Sequence, residues 1–129
     1  MRILVDTHCW LWMSASPERF STRAHALVAD LSNELFLSAA SAWEIATKAA
    51  LGKLTLPVPA AEYVESRLKL TRAVPLPITH EHALRTGELP TYHRDPFDRL
   101  LIAQAQIEHL PVLTADTQLE LYDVELIWA

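Results

Sequence analysis

Short runs of consecutive apolar residues alternate along the chain with stretches whose apolar positions fall three and four apart. "RILVD" (2–6) is a run of the first kind closed by a carboxylate, the pattern of a strand buried on both faces. Residues 20–32 are of the second kind. Ser21 or Thr22 stands as cap and Ala24, Leu27, Val28 and Leu31 form one face, which predicts a helix. "ELFLS" (34–38) reads as a second strand. A helix over 40–51 follows it, capped by Ser38 or Ser41 and ended by Gly52. After the turn "LPVPA", residues 60–71 predict a helix that faces inward through Ala60, Tyr63, Val64 and Leu68. "AVPLPI" (73–78) is a strand whose two prolines assign it to a sheet edge. Thr79 caps a short helix near 80–87, broken by Gly87 and Pro90, and the loop "LPTYHR" leads to a helix over 96–109. "PVLTAD" (111–116) is a fourth strand, "TQLEL" a helical turn and "ELIW" (125–128) a fifth strand. There is no internal repeat and no linker. The alternation predicts one α/β domain over 1–129, a mainly parallel central sheet of about five strands flanked by helices.

One position conflicts with this pattern. In the helix beginning "DPFDRLLIAQAQ", Asp95 is placed to cap and Pro96 suits the first turn. Asp98, however, shares a stripe with Leu101, Ile102 and Ala105. Its interaction with the helix dipole is worth ~0.3–1 kcal/mol, against several kcal/mol for desolvating an unpaired carboxylate. In a parallel sheet the loop after each strand lies at the carboxyl edge, where open α/β sheets bind ligands. Asp6 and Asp116 close the first and fourth strands there. Glu44 lies near the start of the helix that leaves the second strand, and Asp95 and Asp98 open the helix that feeds the fourth. Arg94, Arg99 and Lys48 fall in the same places. Taken singly, Asp6, Asp95 and Asp116 read as caps and Glu44 as an ion-pair partner of Lys48. Taken together, the acids repel one another unless some are protonated or a cation sits among them. Oxygen-only ligands suit Mg²⁺ or Mn²⁺, and such ions support phosphodiester hydrolysis without a covalent nucleophile from the protein.

Composition narrows the classes. Half of the 129 residues are hydrophobic and two are glycine, which disfavours disorder. The formal net charge of −5 argues against binding nucleic acid through an overall field, but leaves room for a local basic rim and favours a basic protein partner. One cysteine, Cys9, excludes an internal disulfide and fits a reducing, cytoplasmic setting. The N-terminus does not read as a signal peptide, and no apolar stretch approaches the ~20 residues of a membrane span. The six histidines have no zinc-type spacing, and there is no glycine-rich phosphate loop. His93 is a candidate for the rim of the site; Trp10 and Trp12 read as packing residues.

"ILVDTHCWLW", "SAASAWEIATKAALGKL", "HRDPFDRLLIAQA" and "VLTAD" resemble, in this order, the motifs of the PIN-domain ribonucleases, and among them the VapC toxins of prokaryotic toxin–antitoxin pairs. The resemblance spans nearly the whole chain. It implies a Mg²⁺- or Mn²⁺-dependent endoribonuclease whose acidic positions match Asp6, Glu44, Asp98 and Asp116. Asp95 is an accessory acid or cap, and Thr7 and Thr114 match the small hydroxyl residues beside the acids. Lys48, Arg94, Arg99 and His93 are the candidates to contact RNA. The resemblance also implies a cognate VapB-type antitoxin that blocks the site, and a homodimer. The alternative is a non-enzymatic protein-interaction module in which the acids are only caps and ion pairs. An acyl-phosphate phosphotransferase is disfavoured, because "DTHCW" lacks a second nearby aspartate.

Overall fold

A computed structural model describes all 129 residues. Five strands, β1 (Arg2–Val5), β2 (Glu34–Ser38), β3 (Val74–Leu76), β4 (Val112–Thr114) and β5 (Leu126–Trp128), form one sheet in the order β3-β2-β1-β4-β5. Every pairing is parallel, with Leu4 opposite both Phe36 of β2 and Val112 of β4. The central strand is the most enclosed: Ile3, Leu4 and Val5 are fully buried. The proline-bearing β3 lies at an edge, as expected from its missing donor. From β1 the chain steps outward through β2 and β3, then returns to the other side of β1 with β4 and β5. The order therefore reverses beside β1, and the crevice at the carboxyl ends of β1 and β4 is a topological switch point.

Six helices flank the sheet: α1 (Thr7–Ala15), α2 (Thr22–Ala29), α3 (Ala39–Ala50), α4 (Ala60–Thr71), α5 (His80–Arg85) and α6 (Pro96–Glu108). One apolar layer joins Ile3, Val5, Trp10, Leu35, Leu37 and Ile45; the other joins Leu4, Phe36, Leu101, Ile102, Val112 and Leu119. The alternation of Ile3, Leu4 and Val5 across these two layers explains why all three are apolar. Gly52, at φ +72°, ends the α3 region in the left-handed conformation that glycine adopts without a steric penalty.

Two expectations change. Residues 7–15 form a helix that periodicity did not reveal. "CWLWM" is apolar on every side of the helix, because Cys9 and Trp10 enter the core while Leu11, Trp12 and Met13 pack around it. The second helix is shorter than 20–32. Asp30 accepts hydrogen bonds from the Ser32 N–H and hydroxyl, at 2.9 and 2.7 Å, and this local turn competes with helix continuation. Leu31 therefore leaves the apolar face and stands 75% exposed.

Candidate active site

Asp6 follows β1 directly and caps α1: its Oδ1 accepts the Cys9 N–H at 2.8 Å. Its Oδ2 accepts a hydrogen bond from the Thr114 hydroxyl, and Thr114 Oγ1 in turn accepts the Asp116 N–H at 3.0 Å. Thr114, at the end of β4, is fully buried. It thus ties the loop after β4 to the loop after β1. Asp116 caps the 3₁₀ turn at residues 117–121, taking the Gln118 N–H on Oδ1 at 2.9 Å. On the other side, Ser38 caps α3 and carries the chain from β2 straight into the helix that holds Glu44. Thr7 donates to Ser41 Oγ at 2.8 Å, which joins α1 to α3 beneath Glu44. Glu44 is 3% exposed and paired with Lys48 one turn on.

Asp95 caps α6, accepting the N–H groups of Phe97 and Asp98 at 2.9 and 3.2 Å. Asp98 stands at the third helical position, on the inward stripe. Burial pushes its carboxyl up to about 7, and the nearby charges of Asp95, Asp116, Glu44 and Asp6 add to the shift. The carboxylates from β1, α3, α6 and the loop after β4 therefore share one electrostatic neighbourhood. The structure places Asp6, Glu44, Asp98 and Asp116 at the carboxyl edge, near enough for the charges of the other three to act on Asp98; Thr114 bonds Asp6, Asp95 caps the helix that bears Asp98, and Thr7 bonds Ser41 rather than an acid. The cap readings of Asp6, Asp95 and Asp116 and the pairing of Glu44 with Lys48 also hold, alongside this convergence.

The donor set fits a hard divalent cation. All of its ligating atoms are oxygen, and Asp98 keeps a desolvated charge that a cation would neutralise. As the side chains stand, no group of three or more histidine, cysteine, aspartate and glutamate residues is placed to hold a metal ion by itself. A cation there would keep several of its waters and reach some of the carboxylates only through them, as Mg²⁺ does.

The candidate RNA contacts divide. Arg94 is exposed beside Asp95. Lys48 sits on Glu44, where a cavity of about 280 Å³ opens between Thr7, His8, Glu44, Lys48 and Lys53. His8 and Lys53 also line this cavity and were not anticipated: both lie within the quoted segments but match none of their acidic or hydroxyl positions. Arg99 is a correction. Its guanidinium donates to the carbonyls of Thr86 (2.8 Å), Pro90 (2.8 Å), Leu89 and His93 (both 3.3 Å), so both terminal nitrogens are spent on the loop before α6. His93 also turns inward, with Nδ1 2.6 Å from the Tyr122 hydroxyl and Nε2 3.3 Å from Asp98 Oδ2. Both ring nitrogens are thereby engaged by protein oxygens and unavailable to a phosphate. Trp43, 49% exposed, meets Phe97 edge-to-face at 4.6 Å and forms an aromatic wall next to Glu44 and Asp98 in sequence.

The remaining singular groups are structural. Trp10 is buried and donates from Nε1 to Thr71 Oγ1 at 3.2 Å, while Trp12 packs against Phe20. Cys9 is buried, and burial together with neighbouring Asp6 pushes its thiol far up, so it stays neutral and unreactive.

Comparison with known proteins bears on this arrangement. The family model of the PIN domain matches residues 3–125. Ribonuclease VapC22 of Mycobacterium tuberculosis is 33% identical over 108 residues, covering 83% of this chain and 80% of that protein. Ribonuclease VapC16 of the same organism is 49% identical over 57 residues, a match that spans 44% of this chain and 40% of that relative's length. Among solved structures, VapBC2 from Rickettsia felis bound to a DNA fragment from its promoter superposes with a TM-score of 0.70 at 17% identity, over 99% of this chain and 98% of that one.

Proposed function

The chain belongs to the PIN-domain family, and on that premise we propose that it is a Mg²⁺- or Mn²⁺-dependent endoribonuclease, the toxin of a type II toxin–antitoxin pair. The observation that carries this reading is the placing of Asp6, Glu44, Asp98 and Asp116, from four separate elements, around an Asp98 carboxyl that burial first and these neighbouring charges second push up to about 7. Caps and surface ion pairs do not require such an arrangement. A non-enzymatic interaction module would leave its cost without a purpose. The relatives named ribonucleases support RNA as the substrate, and the VapBC assembly among the neighbours supports a VapB-type antitoxin as partner. A homodimer is the expected state of the toxin, since closed two-fold dimers are the commonest soluble oligomer.

In this reading Asp6, Glu44 and Asp98 hold the cation, directly or through waters, and Asp116 orients the attacking water or supports a second ion. The cation, when bound, polarises a phosphoryl oxygen and eases deprotonation of water. Thr114 fixes the relative positions of Asp6 and Asp116, and Ser41 with Thr7 fixes the floor beneath Glu44. Lys48, Lys53, His8 and Arg94 form the basic rim along which the RNA backbone runs. The purified protein should cleave RNA with Mg²⁺ or Mn²⁺, lose this activity in EDTA, and lose it in Asp6→Asn at unchanged fold. Cleavage that persists in EDTA, or at the wild-type rate in Asp6→Asn, would refute the assignment.

A further inference from the structure

His93 lies between Asp98 and Tyr122, and neither contact is a solvated one. Its side chain is 10% exposed against 21% for Asp98, and Tyr122 is buried at 5%. The direction of each hydrogen bond follows from what the neighbours can donate. Arg99 Nη1 is a donor only and lies 3.5 Å from Tyr122 Oη, so the phenolic oxygen accepts on that side. His93 Nδ1, at 2.6 Å, is the one other partner of this buried hydroxyl and its one available acceptor, so Tyr122 directs its proton there. With Nδ1 accepting, the ring proton resides on Nε2, which faces the acceptor-only carboxylate of Asp98. The loop is held in place by Arg99 on the carbonyls of residues 86–93 and by Tyr92, whose ring meets Tyr122 edge-on at 5.1 Å.

We infer that His93 is a positioning residue for Asp98: the Arg99–Tyr122 pair sets its tautomer, and its Nε2–H holds Oδ2, fixing the orientation of the carboxylate that would ligate a divalent ion. The inference rests on the metal-dependent reading above. Partners of this kind orient ligating carboxylates and are usually as important as the ligands; their loss costs on the order of 10–100-fold in metal affinity. His93 precedes α6 and Tyr122 follows β4 and the 3₁₀ turn at residues 117–121, which makes the pair invisible to motif reading. It also assigns the loop before α6 a function beyond connection.

Two measurements test this. In the metal-free protein, ¹⁵N spectra of the neutral imidazole should show His93 protonated on Nε2 and unprotonated on Nδ1. Mn²⁺ titration calorimetry should then show on the order of tenfold weaker binding in both Tyr122→Phe and His93→Ala. The double variant should be no weaker than His93→Ala alone, because both act through one contact. His93→Gln, whose amide nitrogen can stand where Nε2 stands, should recover much of the affinity. In RNA cleavage by the same variants, kcat should fall while KM is unchanged, since no RNA contact is lost. A ring protonated on Nδ1, or wild-type Mn²⁺ affinity in a folded His93→Ala, would overturn the inference alone. Absence of Mn²⁺ binding by the wild type would overturn the metal-dependent reading together with it.

Discussion

Asp98 is a carboxylate that the metal-free fold holds against its own stability. Its folded pKa of about 7 lies above the ordinary carboxylate value, so between about pH 4 and 7 the native state binds more protons than the unfolded one. The sign is fixed by that difference. Metal-free stability should rise as pH falls through about 7 and level off near the unfolded value. Asp98→Asn, which removes the charge but keeps an oxygen facing His93, should be more stable at about pH 8 by ~1–3 kcal/mol, after allowance for solvent reaching the carboxyl. The gain should shrink towards pH ~5; melting curves of both proteins across pH check this. Thr114 poses the opposite case. Thr114→Val keeps the shape but leaves Asp6 Oδ2 and the Asp116 N–H without a partner, at a cost of about 1–3 kcal/mol. Urea denaturation should show this loss together with weaker Mn²⁺ binding.

At the scale of elements, α6 does three tasks with one short sequence. Asp95 and Pro96 start it, Leu101, Ile102 and Ala105 seat it on the sheet, and Arg99 reaches back to gather the loop before it. A lysine cannot reproduce a fork that meets several carbonyls at once. Arg99→Lys should therefore raise hydrogen–deuterium exchange across residues 86–95 while leaving the exchange of β1 and β4 unchanged. The strands and most helices are legible in the sequence because each buries one face, or both, with a regular period. Asp98 is legible for the same reason inverted, as a charge on an apolar stripe. Three features resist that reading. α1 is apolar all round and so has no period to detect. Leu31 sits in helical register but lies beyond a turn made by Asp30 and Ser32. His93 looks like a surface residue of a polar loop and Arg99 like a solvated position in the first turn of α6, and only the tertiary approach of Tyr122 and the loop carbonyls turns them inward.

For the whole molecule, the acid cluster sits at one rim of a chain of net charge −5, and no helix is long and apolar enough to cross a membrane. A basic segment of an antitoxin placed at that rim would occupy the position of the cation. Inhibition by such a partner should weaken as Mg²⁺ is raised, while binding through apolar contacts elsewhere survives. Parallel titrations of cleavage and of complex formation distinguish this from an antitoxin that only blocks the RNA path, whose inhibition would not respond to Mg²⁺. Both outcomes presuppose that the four acids form one ion site, and the most direct measurement of that is the shift in melting temperature caused by Mn²⁺ in the wild type and in Asp98→Asn. An ion that binds only the folded site stabilises it by about 2.7 kcal/mol at 100 times its Kd. The wild type should therefore melt several degrees higher with saturating Mn²⁺, and Asp98→Asn should scarcely move at the same concentration. Equal shifts in the two proteins would place the ion away from the acids and contradict the site.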